Sequence, residues 1–256
     1  MRHEAPVAAV RVPDARGDLV FLVETADALG KRFFMTRQRA ELLVLGRAMD
    51  AGRIPRGGTI VDVGAHIGTV SIAALAWHGF EAAVSVEAHP GNARLLAANA
   101  ALNGVAERIT HLRFAASDRA GEAVLDASRR SSAKHKIVAE ASDAAGEAVP
   151  VEVRRLDDVA EIDQGSVRLL WIDVEGHEPE VIRGASRLLE RGVPIVLELG
   201  HGDAAALTET LGSRYERVVD LRGKSTRPEW RVQELERLAS ELGERHTHTD
   251  VLILPA

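Results

Sequence analysis

The chain contains 256 residues, of which 46% are hydrophobic and 27% are charged, a balance typical of a soluble globular protein. Cysteine is absent, which excludes disulfides, thiolate nucleophiles and cysteine-ligated metals and fits a reducing compartment. The net charge of −6 disfavours a large nucleic-acid footprint. We find no signal-peptide core and no apolar run near the roughly 20 residues that span a bilayer. We therefore expect a cytoplasmic protein that binds neither nucleic acid nor membrane.

Residues 1–54 are predicted to form an N-terminal extension that precedes the main domain. Thr36 is predicted to cap its helix, and the sequence PRGG at 55–58 breaks the chain before the first core strand. Arg37 and Glu41 either reach a substrate or form a surface ion pair. The predicted elements of the extension are strands at 19–23 and 33–35 and a helix at 37–51.

From residue 59 onward, patterns typical of strands and helices alternate, which predicts a doubly wound, mostly parallel sheet. The stretch 121–156 lacks a helical period, and residues 123–125 and 149–153 are predicted to pair as a hairpin. Within it, the run RRSSAKHK at 129–136 either closes over a substrate or is a solvated loop. The predicted strands are 59–63, 82–86, 109–115, 167–174, 194–199, 218–221 and 251–254. The predicted helices are 67–78, 90–103, 176–191, 203–211 and 229–242.

The stretch TIVDVGAHIG at 59–68 combines a buried strand, a tight glycine turn and the start of a helix. Gly64 and Gly68 lack a Cβ, so a ligand can approach the backbone closely. Asp62 is an acid inside an apolar strand, where a lone carboxylate is costly unless a partner satisfies it. We expect that partner to be a ligand or the amides of the turn. A strand, glycine turn and helix place a ligand at the carboxyl end of a parallel sheet.

An acid, Glu87, closes the next predicted strand. A carboxylate at this place can accept two hydrogen bonds from a ribose diol. Neither the dinucleotide pattern GxGxxG nor the P-loop pattern is present, which argues against a dehydrogenase. The arrangement therefore suits a nucleoside without a pyrophosphate, such as S-adenosylmethionine. The alternative is that Glu87 is a solvated strand end.

The stretch LLWIDVEGHE at 169–178 places three acids after a second buried strand. Asp173 and Glu175 follow the strand, and Glu178 lies in the first helical turn, where the helix dipole favours an acid. Converging carboxylates can act as a general base, a substrate holder or metal ligands. Helix capping with a solvated turn is the alternative.

Together these stretches resemble the FkbM family of S-adenosylmethionine-dependent methyltransferases. The likeness rests on VDVGAHIG, SVEAHP and WIDVEGHEPEVIRGA, and extends over about 55–256. It implies a class I methyltransferase (Rossmann-like) fold, an α/β doubly wound, mostly parallel seven-stranded sheet, and methylation of a hydroxyl on a sugar or natural product. Two departures stand out, because His66 replaces the usual Asn and Trp171 replaces a frequent Lys.

The resemblance also implies the site residues and the cofactor, S-adenosyl-L-methionine. A divalent metal is compatible with the acids but not indicated, and no metal ligands are assigned. The resemblance implies cofactor contacts from Asp62, Gly64, Gly68 and Glu87, with Ser117 or Asp118 near the adenine. The full set of predicted cofactor-binding residues is Asp62, Gly64, Ala65, His66, Ile67, Gly68, Glu87, Ala88, Ser117, Asp118 and Asp173. The catalytic candidates are Asp173, Glu175 and His177.

The expected chemistry is in-line transfer of the sulfonium methyl group, in which positioning dominates. An aliphatic hydroxyl holds its proton about as tightly as water, so a base or metal is needed. Asp173 and Glu175 are the preferred bases, and His177 is a weaker candidate. The expected partner is a small hydroxylated acceptor, and a homodimer is compatible with the sequence. A catalytically silent domain of the same fold and a nucleic-acid methyltransferase remain as alternatives.

Overall fold

The computed structural model describes residues 6–26, 28–51, 53–127, 136–138, 147–163, 166–200, 202–242 and 248–256. The strands, numbered in chain order, are β1 (Val7–Val12), β2 (Leu19–Glu24), β3 (Thr59–Val63), β4 (Ala82–Val86), β5 (Ile109–Leu112), β6 (Ala115–Ala116), β7 (Gly121–Ala127), β8 (Lys136–Val138), β9 (Glu147–Arg154), β10 (Val167–Ile172), β11 (Ile195–Gly200), β12 (Tyr215–Asp220), β13 (Glu229–Arg231) and β14 (His248–Pro255). The helices are α1 (Ala28–Thr36), α2 (Ala40–Asp50), α3 (Thr69–Trp77), α4 (Pro90–Leu102), α5 (Ala160–Asp163), α6 (Glu178–Arg183), α7 (Ser186–Glu190), α8 (Ala204–Leu211) and α9 (Leu235–Leu242).

The larger sheet confirms the predicted doubly wound, mostly parallel arrangement. In the described part of the chain it has eight strands, in the order β13-β12-β14-β11-β10-β3-β4-β5. Strands β11, β10, β3, β4 and β5 run parallel, whereas β14 lies antiparallel between β11 and β12. Because the parallel strands share a direction, the turns that follow β3, β4 and β10 meet at one edge.

The sheet is buried on both faces, as near-continuous apolar strands require. All five residues of β3 are buried. Val61 and Val63 belong to the core on one face, which includes helices α6 to α9, and Ile60 belongs to the core on the other face. That second core contains side chains of both α3 and the N-terminal extension, including Phe21 and Phe33. No helix in the described residues is both long and apolar enough to cross a bilayer.

The eighth strand corrects the prediction of a single helix at 229–242. Glu229–Arg231 instead pairs antiparallel with β12 and forms the sheet edge, and the α-helix begins only at Leu235. Trp230 is buried, and the guanidinium carbon of Arg227 lies 3.8 Å from the centroid of the Trp230 ring. The indole Nε1 of Trp230 donates to the Arg227 carbonyl at 2.9 Å. This local packing holds the segment extended, and the helical apolar spacing does not reveal it.

The helix predicted at 176–191 is divided into α6 and α7. The break lies at Gly184, where a Cβ would sit 2.0 Å from the carbonyl oxygen of Ser117. The Asp157 carboxylate caps the start of α7, because it accepts from the amides of Ser186 at 3.0 Å and Arg187 at 2.9 Å. A long-range backbone contact and a distant cap therefore decide this break, and neither is visible in the local sequence.

The N-terminal extension differs from its prediction in two places. Residues 33–35 are helical, because they lie within α1, and the strand Val7–Val12 was not predicted. Thr36 ends α1, where its hydroxyl donates to the Arg32 carbonyl at 2.9 Å, and it does not cap α2. The predicted strand at 19–23 is confirmed as β2. The proposed boundary at residue 54 stays a prediction.

A second, smaller sheet of four strands has the order β6-β9-β7-β8. The predicted hairpin is confirmed, since Ala123 pairs with Val151 and Leu125 with Val149. The strand predicted at 109–115 is divided, because β5 joins the large sheet and β6 joins the small one. Residues 129–135, the proposed closing loop, lie outside the described residues.

Candidate functional site

A cavity lies at the edge of the large sheet where β3, β4 and β10 end. The turns after these strands form its floor, helix α2 of the extension forms one wall, and the small sheet forms another. Its lining residues are Arg39, Glu41, Asp62, Val63, Gly64, Ala65, His66, Thr69, Val70, Val86, Glu87, Ala88, Asn92, Phe114, Ala115, Ala116, Leu125, Ile137, Trp171, Asp173, Val174 and Glu175.

Asp62 is a fully buried acid on β3 with a partner in the following helix. Its Oδ2 accepts from the Ser71 amide at 3.1 Å and from the Ser71 hydroxyl at 2.5 Å. The donor is therefore Ser71 of α3 and not an amide of the turn, whereas a ligand partner for this acid stays a prediction. Burial raises its pKa to about 6, against the lowering effect of Ser71. Asp62 thus keeps acceptor capacity toward the cavity that it lines.

Glu87 is oriented by the backbone of two turns. Its Oε2 accepts from the His66 amide and its Oε1 from the His89 amide, each at 2.8 Å. Asn92 adds a longer contact to Oε1 at 3.4 Å. Burial nevertheless raises the pKa of Glu87 to about 7. Because it is 7% exposed, the alternative of a solvated strand end is wrong.

Gly64 joins the turns after β3 and β10. Its backbone has φ 80°, and a Cβ there would lie 1.9 Å from the Asp173 carbonyl oxygen. At Gly68, which has φ 85°, a Cβ would meet the side chains of Leu96 and Ile72. Chain packing thus favours glycine at both positions, and Gly64 also lines the cavity, so close approach of a ligand there stays a prediction.

His66 occupies a left-handed backbone conformation, with φ 51°. Asn, Asp and His are the non-glycine residues most often found there. The position mainly contributes its backbone amide, which donates to Glu87. Replacement of the usual Asn by His therefore keeps both the turn and its hydrogen bond.

Asp173 and Glu175 face the cavity from the turn after β10. The Asp173 amide donates to the Val63 carbonyl at 3.0 Å, which fixes the start of this turn. Burial raises the pKa of Asp173 well above its usual range, and the nearby carboxylates of Glu41 and Glu175 add to this effect. Glu175 has φ 53°, an uncommon conformation for a residue with a Cβ.

Glu178, the third predicted acid of this stretch, has a structural contact instead. It is 1% exposed and its Oε1 accepts from the Val174 amide at 3.3 Å, across the turn. It does not line the cavity. The capping interpretation therefore fits Glu178, whereas the cavity interpretation fits the two acids before it.

His177 and Ser117 lie outside the cavity lining and bond to each other. Their Nε2 and Oγ atoms are 3.0 Å apart, and burial lowers the pKa of His177. Asp118 instead forms an ion pair with Arg183 at 3.4 Å. This leaves Asp173 and Glu175 as the base candidates within the cavity. Of the residues implied by the resemblance, the structure places Ile67, Gly68, Ser117, Asp118 and His177 away from the cavity surface.

The sequence did not indicate Arg39. It lies just before α2 with its side chain only 3% exposed, and it pairs with Glu41. Glu41 was considered as a substrate contact, and the structure places it in the cavity wall. In the described residues, no cluster of three or more His, Asp or Glu has the arrangement of a metal site.

Comparison with known proteins identifies the domain. A model of the methyltransferase FkbM domain matches residues 62–219. The chain belongs to the FkbM methyltransferase family. This FkbM chain has the class I, Rossmann-like methyltransferase fold. No curated protein shows significant similarity to it.

The FkbM chain is similar to several solved structures. Methyltransferase FkbM from Methylobacillus flagellatus KT is 17% identical with a TM-score of 0.53, covering 87% of this chain and 52% of that one. This chain thus spans about half the length of that protein. A NADB-Rossmann superfamily protein from Streptococcus agalactiae is 12% identical, TM-score 0.47, covering 85% and 68%. An RNA methyltransferase from Salinibacter ruber in complex with S-adenosyl-L-homocysteine is 16% identical, TM-score 0.42, covering 83% and 89%.

Proposed function

We propose that this chain transfers the methyl group of S-adenosylmethionine to a hydroxyl of a small molecule, such as a sugar or a natural product. One observation carries the proposal: Asp173 and Glu175 face the same cavity as Asp62 and Glu87. Two pairs of acids thus share one cleft, and we assign the first pair to proton transfer and the second to the cofactor.

The cavity fits the cofactor by its chemistry. Glu87 already has its two oxygens oriented by amides and retains lone pairs for two ribose hydroxyls. Phe114 and Leu125 form an apolar wall of the cavity, against which the adenine ring would lie. When bound, S-adenosylmethionine supplies an activated methyl group on a cationic sulfonium. The acids Asp62, Asp173 and Glu175 give that cation a favourable environment.

Asp173 or Glu175 would accept the acceptor's hydroxyl proton as its oxygen forms the new bond to carbon. When bound, S-adenosylmethionine would supply the leaving group, because its sulfur would take the electron pair of the broken sulfur–carbon bond. A raised pKa makes Asp173 a stronger base once ionised, which favours proton transfer from a weakly acidic hydroxyl. Its rigid turn, tied to Val63, favours the orientation that this reaction needs.

The charge of the cavity favours some acceptors over others. Its described lining contains five acids and one arginine, and that arginine is paired with Glu41. A phosphodiester or carboxylate acceptor would meet repulsion near Asp173 and Glu175, whereas a neutral polyol or an amine-bearing acceptor would not. We therefore rank small hydroxylated acceptors above nucleic acid. A cytoplasmic location and a homodimer stay predictions.

The test is a methyl-transfer screen with the purified chain and labelled S-adenosylmethionine. The panel contains neutral glycosides, amino sugars, uronic acids and transfer RNA, each with and without EDTA. We expect O-methylated neutral or amine-bearing products, weaker transfer to uronic acids, and persistence in EDTA. Transfer only to RNA would support the nucleic-acid alternative. Cofactor binding without transfer to any acceptor would support the silent-domain alternative.

A further inference from the structure

Arg39 is a buried cation with hydrogen-bonding capacity left over. It is 6% exposed, and its Nη2 donates to Glu41. Its Nε is buried and has no hydrogen-bond partner among the described residues. A guanidinium carries five N–H donors, and a buried donor without a partner is unfavourable. Nε itself is shielded from solvent, so an acceptor group of a ligand would reach this cavity-lining side chain through its terminal nitrogens.

The charges around the cavity single out Arg39. Within the described lining, it is the only arginine or lysine. The acids of the lining are Glu41, Asp62, Glu87, Asp173 and Glu175. An anionic group of a ligand would be repelled elsewhere in this cavity and attracted here. Arginine also binds a carboxylate through two parallel hydrogen bonds, which adds geometric specificity.

The strand order gives the direction of a bound nucleoside. Glu87 ends β4, and the apolar wall that includes Phe114 lies beyond it toward β5. On the opposite side lie β3 with Asp62 and β10 with Asp173. If the cofactor's ribose lies at Glu87 and its adenine lies at the apolar wall, then its amino-acid end points toward Asp62 and Asp173.

Helix α2 places Glu41 at this same end. The helix lies on the β10 side of β3, because its Arg47 donates to the carbonyl of Leu221, just after β12, at 2.7 Å. Glu41 lines the cavity together with Asp62 and Asp173, and its charge helps to raise the pKa of both acids. Arg39, which pairs with Glu41, is therefore held over the end of the cavity where the amino acid would lie. The Phe33 ring, 5.6 Å from the guanidinium carbon, supports its position from the other side.

We propose that Arg39 binds the α-carboxylate of the cofactor's amino-acid end, while Glu41 orients Arg39 and faces the neighbouring ammonium group. The N-terminal extension thus completes the cofactor site, in addition to covering the sheet. This inference rests on the proposed cofactor position. It adds two residues that the sequence did not assign to cofactor binding.

The test compares three ligands that differ only at that end, using titration calorimetry. S-adenosylhomocysteine has both the carboxylate and the amine, its decarboxylated analogue has only the amine, and 5′-methylthioadenosine has neither. The variants are Arg39→Gln and Arg39→Lys. Arg47→Gln is the matched control, because Arg47 lies on α2, the helix that begins directly after Arg39, and donates to the Leu221 carbonyl at 2.7 Å.

In Arg39→Gln, we expect binding of S-adenosylhomocysteine to weaken by on the order of tenfold to a hundredfold, the usual range for a hydrogen bond to a charged group. Binding of 5′-methylthioadenosine should change by less than about twofold, since a neutral nucleoside makes no contact with the guanidinium. The affinity of Arg39→Lys for S-adenosylhomocysteine should lie between those of the unsubstituted chain and Arg39→Gln, because lysine keeps the charge but cannot make the two parallel hydrogen bonds. Arg47→Gln should bind all three ligands as the unsubstituted chain does.

Two results would overturn the proposal. One is equal weakening of all three ligands in Arg39→Gln, which would indicate a merely structural role. The other is that the unsubstituted chain binds S-adenosylhomocysteine and its decarboxylated analogue equally well. This second comparison needs no variant, so it remains decisive if Arg39→Gln fails to fold. If Arg39 discriminates the ligands but no acceptor is methylated, this inference stands and the proposed function fails.

Discussion

Binding of S-adenosylhomocysteine should tighten as the pH rises from about 6 to about 8, because Glu87 must be ionised to accept the ribose hydroxyls. In the unliganded protein, burial raises the pKa of this acid to about 7, despite amide donors from His66 and His89. At about pH 6, most molecules therefore carry a proton on Glu87, and that proton must leave before the ligand binds.

The size of the effect follows from that pKa. About ten protonated molecules exist for each ionised one at one unit below it, so the dissociation constant should fall about tenfold across this range. Asp62, with a pKa of about 6 on the neighbouring strand, adds to the slope below neutrality. Burial lowers the pKa of His89, which moves its titration away from this range.

Calorimetry at three pH values, in two buffers of different ionisation enthalpy, measures both the affinity and the protons released. Glu87→Gln should bind more weakly and lose most of the pH dependence, because it cannot titrate. Glu81→Gln is the matched control. The Glu81 carboxylate accepts from the Gly58 amide at 3.2 Å, and both residues lie at the opposite edge of the sheet. A flat affinity in the unsubstituted chain, or an unchanged slope in Glu87→Gln, would refute the reasoning.

Three further outcomes are expected. Asp173→Asn and Glu175→Gln should each slow methyl transfer by about a hundredfold or more while largely keeping cofactor affinity; near-normal turnover in both would remove them as bases. Gly64→Ala should cost more than about 3 kcal/mol in urea unfolding, against about 1 kcal/mol for the control Gly79→Ala, which has φ 76° and open space around it; equal losses would contradict the backbone contact. The unliganded chain should lose about 3 kcal/mol between about pH 4.5 and pH 7 through Glu87, because its folded pKa lies above its unfolded one; urea midpoints that do not fall with pH relative to Glu87→Gln would count against this.

Much of the sheet could be predicted because its signals are local. The strand Thr59–Val63 is a short apolar run closed by a glycine turn, and Glu87 stands directly after the next such run. Parallel topology then brings the ends of these strands together at one edge, so Asp173 could be placed near Asp62 from the sequence.

The errors come from contacts that the spacing of apolar residues does not show. The helical pattern is interrupted at Gly184, whose carbonyl accepts from the distant Asp157 amide at 2.9 Å and where the Ser117 carbonyl leaves no room for a Cβ. Trp230 is held in an edge strand by its contacts with Arg227, although its neighbours follow a helical spacing. Arg39 carries no local signal, since only the packing of helix α2 over the sheet brings it into the cavity.

The left-handed backbone at Glu175 creates a conflict between stability and activity. A glycine there would remove a conformational penalty of about 1–2 kcal/mol and make the turn easier to form. It would also delete one of the two acids proposed to deprotonate the acceptor. A laboratory selection for heat resistance alone should therefore drift toward the smaller residue and lose turnover, so any such campaign on this scaffold needs an activity filter from its first round.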